Sequence, residues 1–79
     1  MRYAIVIEKA DNNYSAYVPD VPGCIATGAT VDEVKQRLSD ALRFHLEGIH
    51  ADGDAAPPPT STVDYVDVVN PMTTKRAAG

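Results

Sequence analysis

Apolar residues along this chain fall into short strand-like runs toward both ends and one helical stripe in the middle. Arg2-Tyr3-Ala4-Ile5-Val6-Ile7-Glu8 is short and rich in β-branched residues, which predicts a strand. Tyr3, Ile5 and Ile7 share one face of it, and Ala4, Val6 and Glu8 share the other. The polar stretch Lys9 to Asn13 predicts a turn, where Asp and Asn tolerate a left-handed backbone, and Tyr14 to Val18 is the return strand of an antiparallel hairpin. Pro19 and Pro22 end that pairing because neither can donate a ladder hydrogen bond. Gly23 permits a backbone angle other residues resist. Cys24 to Thr27 resumes as a third strand, with Gly28 as a turn.

A helix follows. Thr30 is a suitable N-cap and Glu33 stands three residues on, so the two can close a capping box, and Asp32 and Glu33 suit the positive end of the helix dipole. Val34, Leu38, Ala41, Leu42, His45 and Ile49 recur at helical spacing and define one face. The predicted span is about Val31 to Ala51, with Gly53 as the stop. Pro57-Pro58-Pro59 must be extended. Thr62 to Val69 predicts a last strand ended by Pro71, and 71–79 is expected to be a short disordered tail beyond a domain of residues 1–70.

The order β-β-β-α-β predicts an α+β fold, an antiparallel sheet with one helix packed on one face. One helix leaves the second face partly bare. Ala4 and Val6 lie there, which marks them as candidates for an oligomer interface. The alternative is that the proline-rich connection folds back over that face.

Length sharpens this expectation. A chain of 79 residues buries only roughly 60% of the surface its unfolded form exposes, so such domains lean on disulfides, metals or association. Cys24 is the sole cysteine, which rules out an internal disulfide and fits a reducing, cytoplasmic setting. Seven basic residues stand against eleven acidic ones, for a net charge of -4, with no basic run. That argues against direct nucleic-acid binding, and fits either a basic partner or simple solubility. Tyr3 to Ile7 is far too short for a membrane span or a signal peptide.

Candidate chemistry is sparse. His45 falls on the apolar stripe and His50 near the helix end; five residues apart, they point about 140° away from each other, so they cannot share a metal. No HxxH, CxxC or HExxH spacing is present, and no metal or other cofactor is expected. Cys24 has no basic neighbour in sequence to activate it and reads as a small buried hydrophobe. Asp64 and Asp67 would face opposite sides of the last strand, and Asp52 and Asp54 lie in a loop. Neither pair is held as acid and base. Gly23, Gly28, Gly48 and Gly53 do not form a phosphate cradle. No catalytic residue is expected.

Several spaced pieces then agree in order: Tyr14-x-Ala16-x-Val18-Pro19-Asp20-Val21-Pro22-Gly23-Cys24, Gly28-x-Thr30-x-x-Glu33, Ala41-Leu42-x-x-His45-Leu46-Glu47, Gly53, and the prolines at 57 to 59. Together, over residues 1 to 69, the chain resembles the HicB antitoxin family. The resemblance implies a partial RNase H fold without its catalytic carboxylates. It implies the antitoxin half of a type II toxin–antitoxin pair, masking a small basic RNase, HicA, by protein contact. Val18, Pro19, Asp20, Pro22, Gly23, Cys24, Thr30 and Glu33 are motif positions of structural character. Many members carry a C-terminal DNA-binding domain that also dimerises. The chain ends about ten residues after its last predicted strand, so operator binding is not carried over.

The first expectation is therefore an antitoxin-like protein that masks a HicA-like toxin without a DNA-binding domain of its own. Charge nominates Asp40, Glu47, Asp64 and Asp67 as contact residues. The second is an orphan homo-oligomeric interaction module with no toxin. A third, an RNase H-type enzyme, would need several carboxylates converging on a metal, and no such cluster is visible.

Overall fold

The computed structural model describes residues 1–71. It contains strands β1 (Val6–Lys9), β2 (Tyr14–Tyr17) and β3 (Ile25–Gly28), then helix α1 (Val31–Ala51). The strands form one antiparallel sheet in the order β1-β2-β3. In this α+β arrangement the helix packs chiefly across β3 and β2.

Register assigns the two faces. Ile7 stands opposite Ala16, and Ala16 opposite Ala26. Ala16 and the flanking Val18 are buried, with Tyr3, Ile5, Ile7, Tyr14 and Ala26 packed around them. These are the helix-side residues. Val34 and Leu38 descend onto them and are fully buried, so one helix turn supplies most of the lid of a very small core.

The helix bounds are those the sequence predicts, and its caps show why. Thr30 Oγ1 accepts the Glu33 N–H at 3.1 Å. The reciprocal half of the capping box is replaced: the Glu33 carboxylate pairs with Arg37 at 2.6 Å. At the far end the chain turns at Gly53, where φ is 81°, and the Gly53 and Asp54 N–H groups return to the His50 and Ile49 carbonyls. At 21 residues α1 is about 31 Å long, whereas four-residue strands reach about 13 Å. The helix therefore overhangs the sheet, and from Ala41 onward its apolar stripe is only half-buried or exposed.

Three expectations are corrected. The β1 ladder begins at Val6, not Arg2, because β2 stops at Tyr17 and the next N–H, of Val18, is taken by the Cys24 carbonyl at 3.1 Å. The hairpin loop closes through an Ala10 N–H to Asn13 carbonyl bond of 2.8 Å without any left-handed Asp or Asn; among the described residues only glycines have positive φ. The last strand does not form within the single chain. Residues 62–69 join no ladder and are exposed throughout. That segment is apolar on both faces, Val63, Tyr65 and Val69 on one and Val66 and Val68 on the other, a pattern that needs cover on both sides. A sheet with one helix supplies cover on one side only. The expected disordered tail, apart from Pro71, lies outside the described residues.

Candidate functional site

Two surfaces and one corner hold the candidate functional residues. The corner runs from Val18 to Cys24. Val21 N–H donates to the Val18 carbonyl at 3.1 Å, Cys24 N–H to the Val21 carbonyl at 3.2 Å, and Gly23 adopts φ 84° between them. This coil turns Val18, Val21 and Cys24 into the core and leaves Pro19, Pro22 and Gly23 outside. Burial pushes the Cys24 thiol pKa up, which keeps it protonated and unreactive.

Asp20 projects from the same corner toward the chain that follows the helix. Its Oδ1 accepts the Ser61 hydroxyl at 2.7 Å and the Thr60 hydroxyl at 3.2 Å, and its Oδ2 accepts the Ser61 N–H at 2.9 Å. The Ser61 bonds are the main reason its carboxyl sits below the usual carboxylate range. Earlier in the same connection, the Tyr3 hydroxyl donates to the Pro57 carbonyl. The proline-rich connection is thus pinned at Tyr3 and again at Asp20. The sequence marked Asp20 as a motif residue without this role; an acid between two prolines, facing a later Thr-Ser pair, was the available signal.

The first surface is the sheet face away from the helix. Val6 stands opposite Tyr17, and Tyr17 opposite Ile25, so the three form one apolar row across all three strands. Tyr17 is 40% exposed and Ile25 69%. Ala4 and Val6 are each half-buried. The Tyr17 and Ile25 end of the row is therefore open. Alternation along the first strand points to Ala4 and Val6, whereas Tyr17 and Ile25 join the row only through register.

The second surface is acidic, and the structure divides it. Asp40 and Glu47 are exposed on α1, where Asp40 Oδ1 accepts from Gln36 at 3.2 Å and pairs with Arg43 at 3.3 Å. Asp64 and Asp67 lie instead on the unpaired segment, and Asp64 Oδ1 accepts the Tyr65 N–H at 2.7 Å. The helix pair and the segment pair thus sit on separate elements. Among the described residues no three His, Cys, Asp or Glu side chains come together where a metal ion could sit. No helix among them is long and apolar enough to cross a membrane.

Residues 3–72 match the model of a family described as HicB-like antitoxin of bacterial toxin-antitoxin system. An uncharacterized 14.9 kDa protein from the rep-hol intergenic region of Haemophilus phage HP1 is 38% identical over 66 residues; the match covers 84% of this chain and 50% of the phage protein. The chain thus spans about half the length of that relative. A UPF0150 protein of Archaeoglobus fulgidus is 42% identical over 48 residues, 60% of this chain and 70% of that one. Among solved structures, the crystal structure of TTHA0281 from Thermus thermophilus superposes with a TM-score of 0.66 at 29% identity, covering 81% of this chain and 82% of that one.

Proposed function

We propose, on the premise that this chain belongs to the HicB-like antitoxin family, that it neutralises a small basic HicA-like RNase by binding it. The family match across essentially all of the described fold is the observation that carries this reading. The mode of action is contact, not catalysis. It takes place in the cytoplasm and does not use this domain to bind DNA.

Charge supports the reading. A net charge of -4 suits a protein partner whose own surface is built to grip RNA. Asp40 and Glu47 offer one acidic strip along α1, and Asp64 and Asp67 offer a second on the segment after Ser61. The test is co-expression with a neighbouring small basic reading frame. Rescue of toxin-arrested growth and a co-purifying complex are expected. Charge reversal at Asp40→Lys with Glu47→Lys, and at Asp64→Lys with Asp67→Lys, should each weaken the complex and make it less sensitive to salt. A toxin that stays active and unbound at excess antitoxin would overturn the proposal.

A second reading is an orphan homo-oligomeric module. The Val6–Tyr17–Ile25 row, exposed at Tyr17 and Ile25, favours it, because an apolar strip across a sheet face marks a contact surface even where no toxin exists. Absence of any toxin-like neighbour, together with stable self-association of the pure protein, would select this reading over the first.

A further inference from the structure

We propose that residues 62–69 are a strand held for exchange: the segment of one copy adds to the outer edge of β1 in a second copy, and the second copy's segment adds reciprocally to the first. The proposal does not rest on the antitoxin reading.

The segment has the composition of a strand and none of its pairing. Thr-Val-Asp-Tyr-Val-Asp-Val-Val is dominated by β-branched and aromatic residues. Yet Tyr65, Val66, Val68 and Val69 are each at least 75% exposed. The described chain is correspondingly elongated, at 62 × 28 × 16 Å with a radius of gyration of 17.1 Å, where a compact chain of this length would have about 11 to 12 Å. Exposed apolar residues so concentrated in one segment are a docking element without its dock.

The root of the segment is fixed. Asp20 holds Thr60 and Ser61 by three hydrogen bonds, so the strand-like stretch starts from a defined point on the corner. From there Ser61, Thr62 and Val63 pass alongside Arg2, Tyr3 and Ala4, but an open cleft of about 450 Å³ separates the two stretches. The segment thus runs beside the stretch that leads into β1 of its own chain without pairing to it.

The two edges of the sheet differ in how open they are. At β3 the Arg37 guanidinium donates to the Thr27 carbonyl at 3.1 Å and is itself held by Glu33, a charged cover over that edge. At β1, Val6–Lys9 pair on one side only, with β2, and Arg2–Ile5 join no ladder among the described residues. Adding a strand is therefore directed to β1. A second copy is the occupant that explains the segment's pattern. A segment apolar on both faces suits an interior strand, which it becomes when two sheets meet through their exchanged segments. Arg2 and Lys9 outnumber Glu8 along the β1 stretch, a balance opposite in sign to Asp64 and Asp67 on the segment.

The experiment measures mass in solution and amide hydrogen exchange on the full chain over a dilution series, for the native protein and Val66→Pro. Because Val66 is exposed and unpaired in the single chain, Val66→Pro should leave the helical circular dichroism unchanged. The native protein is expected to be dimeric, with residues 62–69 and the β1 amides protected in proportion to the dimer. Val66→Pro, which removes a ladder donor and bends the strand, should weaken association by about tenfold or more. Intermolecular cross-peaks between differently labelled copies should join 62–69 to Val6–Lys9. A monomer with this segment unprotected, a monomer with it protected by its own β1, or a dimer indifferent to Val66→Pro would each overturn the proposal.

Discussion

The carboxylate of Asp20 reaches across forty-one positions of sequence to grip Ser61 through both its N–H, at 2.9 Å, and its hydroxyl, at 2.7 Å. This contact ties the corner after β2 to the chain that leaves α1. Its strength follows ionisation. Asp20 has a folded pKa lowered from the usual value near 3.8, so the tether is at full strength above the unfolded pKa and is lost as pH falls through the folded one. The Ser61 amide resonance should therefore titrate with a midpoint below 3.8, and Asp20→Asn should abolish that titration and speed Ser61 amide exchange at neutral pH. A midpoint at or above the ordinary value would show that the grip is absent in solution.

Two glycines should fail for different reasons. A Cβ at Gly28 would stand 2.8 Å from the backbone N and 3.0 Å from the Cα of fully buried Val34. Gly28→Ala must push the start of α1 off β3, at a cost of about 1–3 kcal/mol. Gly23 has open space around it but sits at φ 84°, so Gly23→Ala costs about 1–2 kcal/mol through the backbone alone. Urea unfolding of the two variants separates these effects, because Gly23→Asn should recover part of the loss and Gly28→Asn none.

These two positions also show what the sequence could reveal. Gly23 was legible, since a Pro-x-x-Pro-Gly corner demands an unusual backbone whatever surrounds it. Gly28 read only as a turn, because its real constraint is the approach of Val34 from another element. The helix was legible to the residue, with Thr30 and Gly53 as local punctuation. The last strand was read from a pattern that is present, but pairing is a property of two edges and only one of them was in view. The candidate site divides the same way: Ala4 and Val6 followed from alternation, while Tyr17, Ile25 and the Asp20 tether required register and long-range contact.

Replacing Val6 or Ile25 by Lys tests the far face of the sheet. Val6→Lys should disrupt association more than it destabilises the subunit. Ile25→Lys is the cleaner probe, because the side chain is already 69% exposed and its stability effect should stay within about 0.5 kcal/mol. Sedimentation alongside thermal melting gives both quantities. Melting that falls while association is unchanged would mean that this face serves the fold and not a contact.

Cys24, at 3% exposed, should react with a soluble thiol reagent at least about a hundredfold more slowly in the native protein than in denaturant. Burial raises its pKa, so raising the pH to about 8.5, where a free thiol is half ionised, should speed the native reaction far less than that of a free thiol. Rapid native labelling would place Cys24 outside the core.

Leu38→Ala removes one of the three largest fully buried side chains. The expected loss is about 2–5 kcal/mol, against a total of about 4–12 kcal/mol for a chain of this length. Urea unfolding followed by circular dichroism should show a midpoint lowered by a sizeable fraction of the native value.

The overhang of α1 makes this protein's resistance to opening uneven. Its first two turns share one cooperative unit with the sheet through Val34 and Leu38, and cannot come apart without global unfolding. The turns from His45 to Ala51 rest on half-covered contacts and a C-terminal cap. They can unwind alone at a small fraction of the global cost. A protease or a binding partner would thus meet a helix whose far end is already a separate, cheaper step.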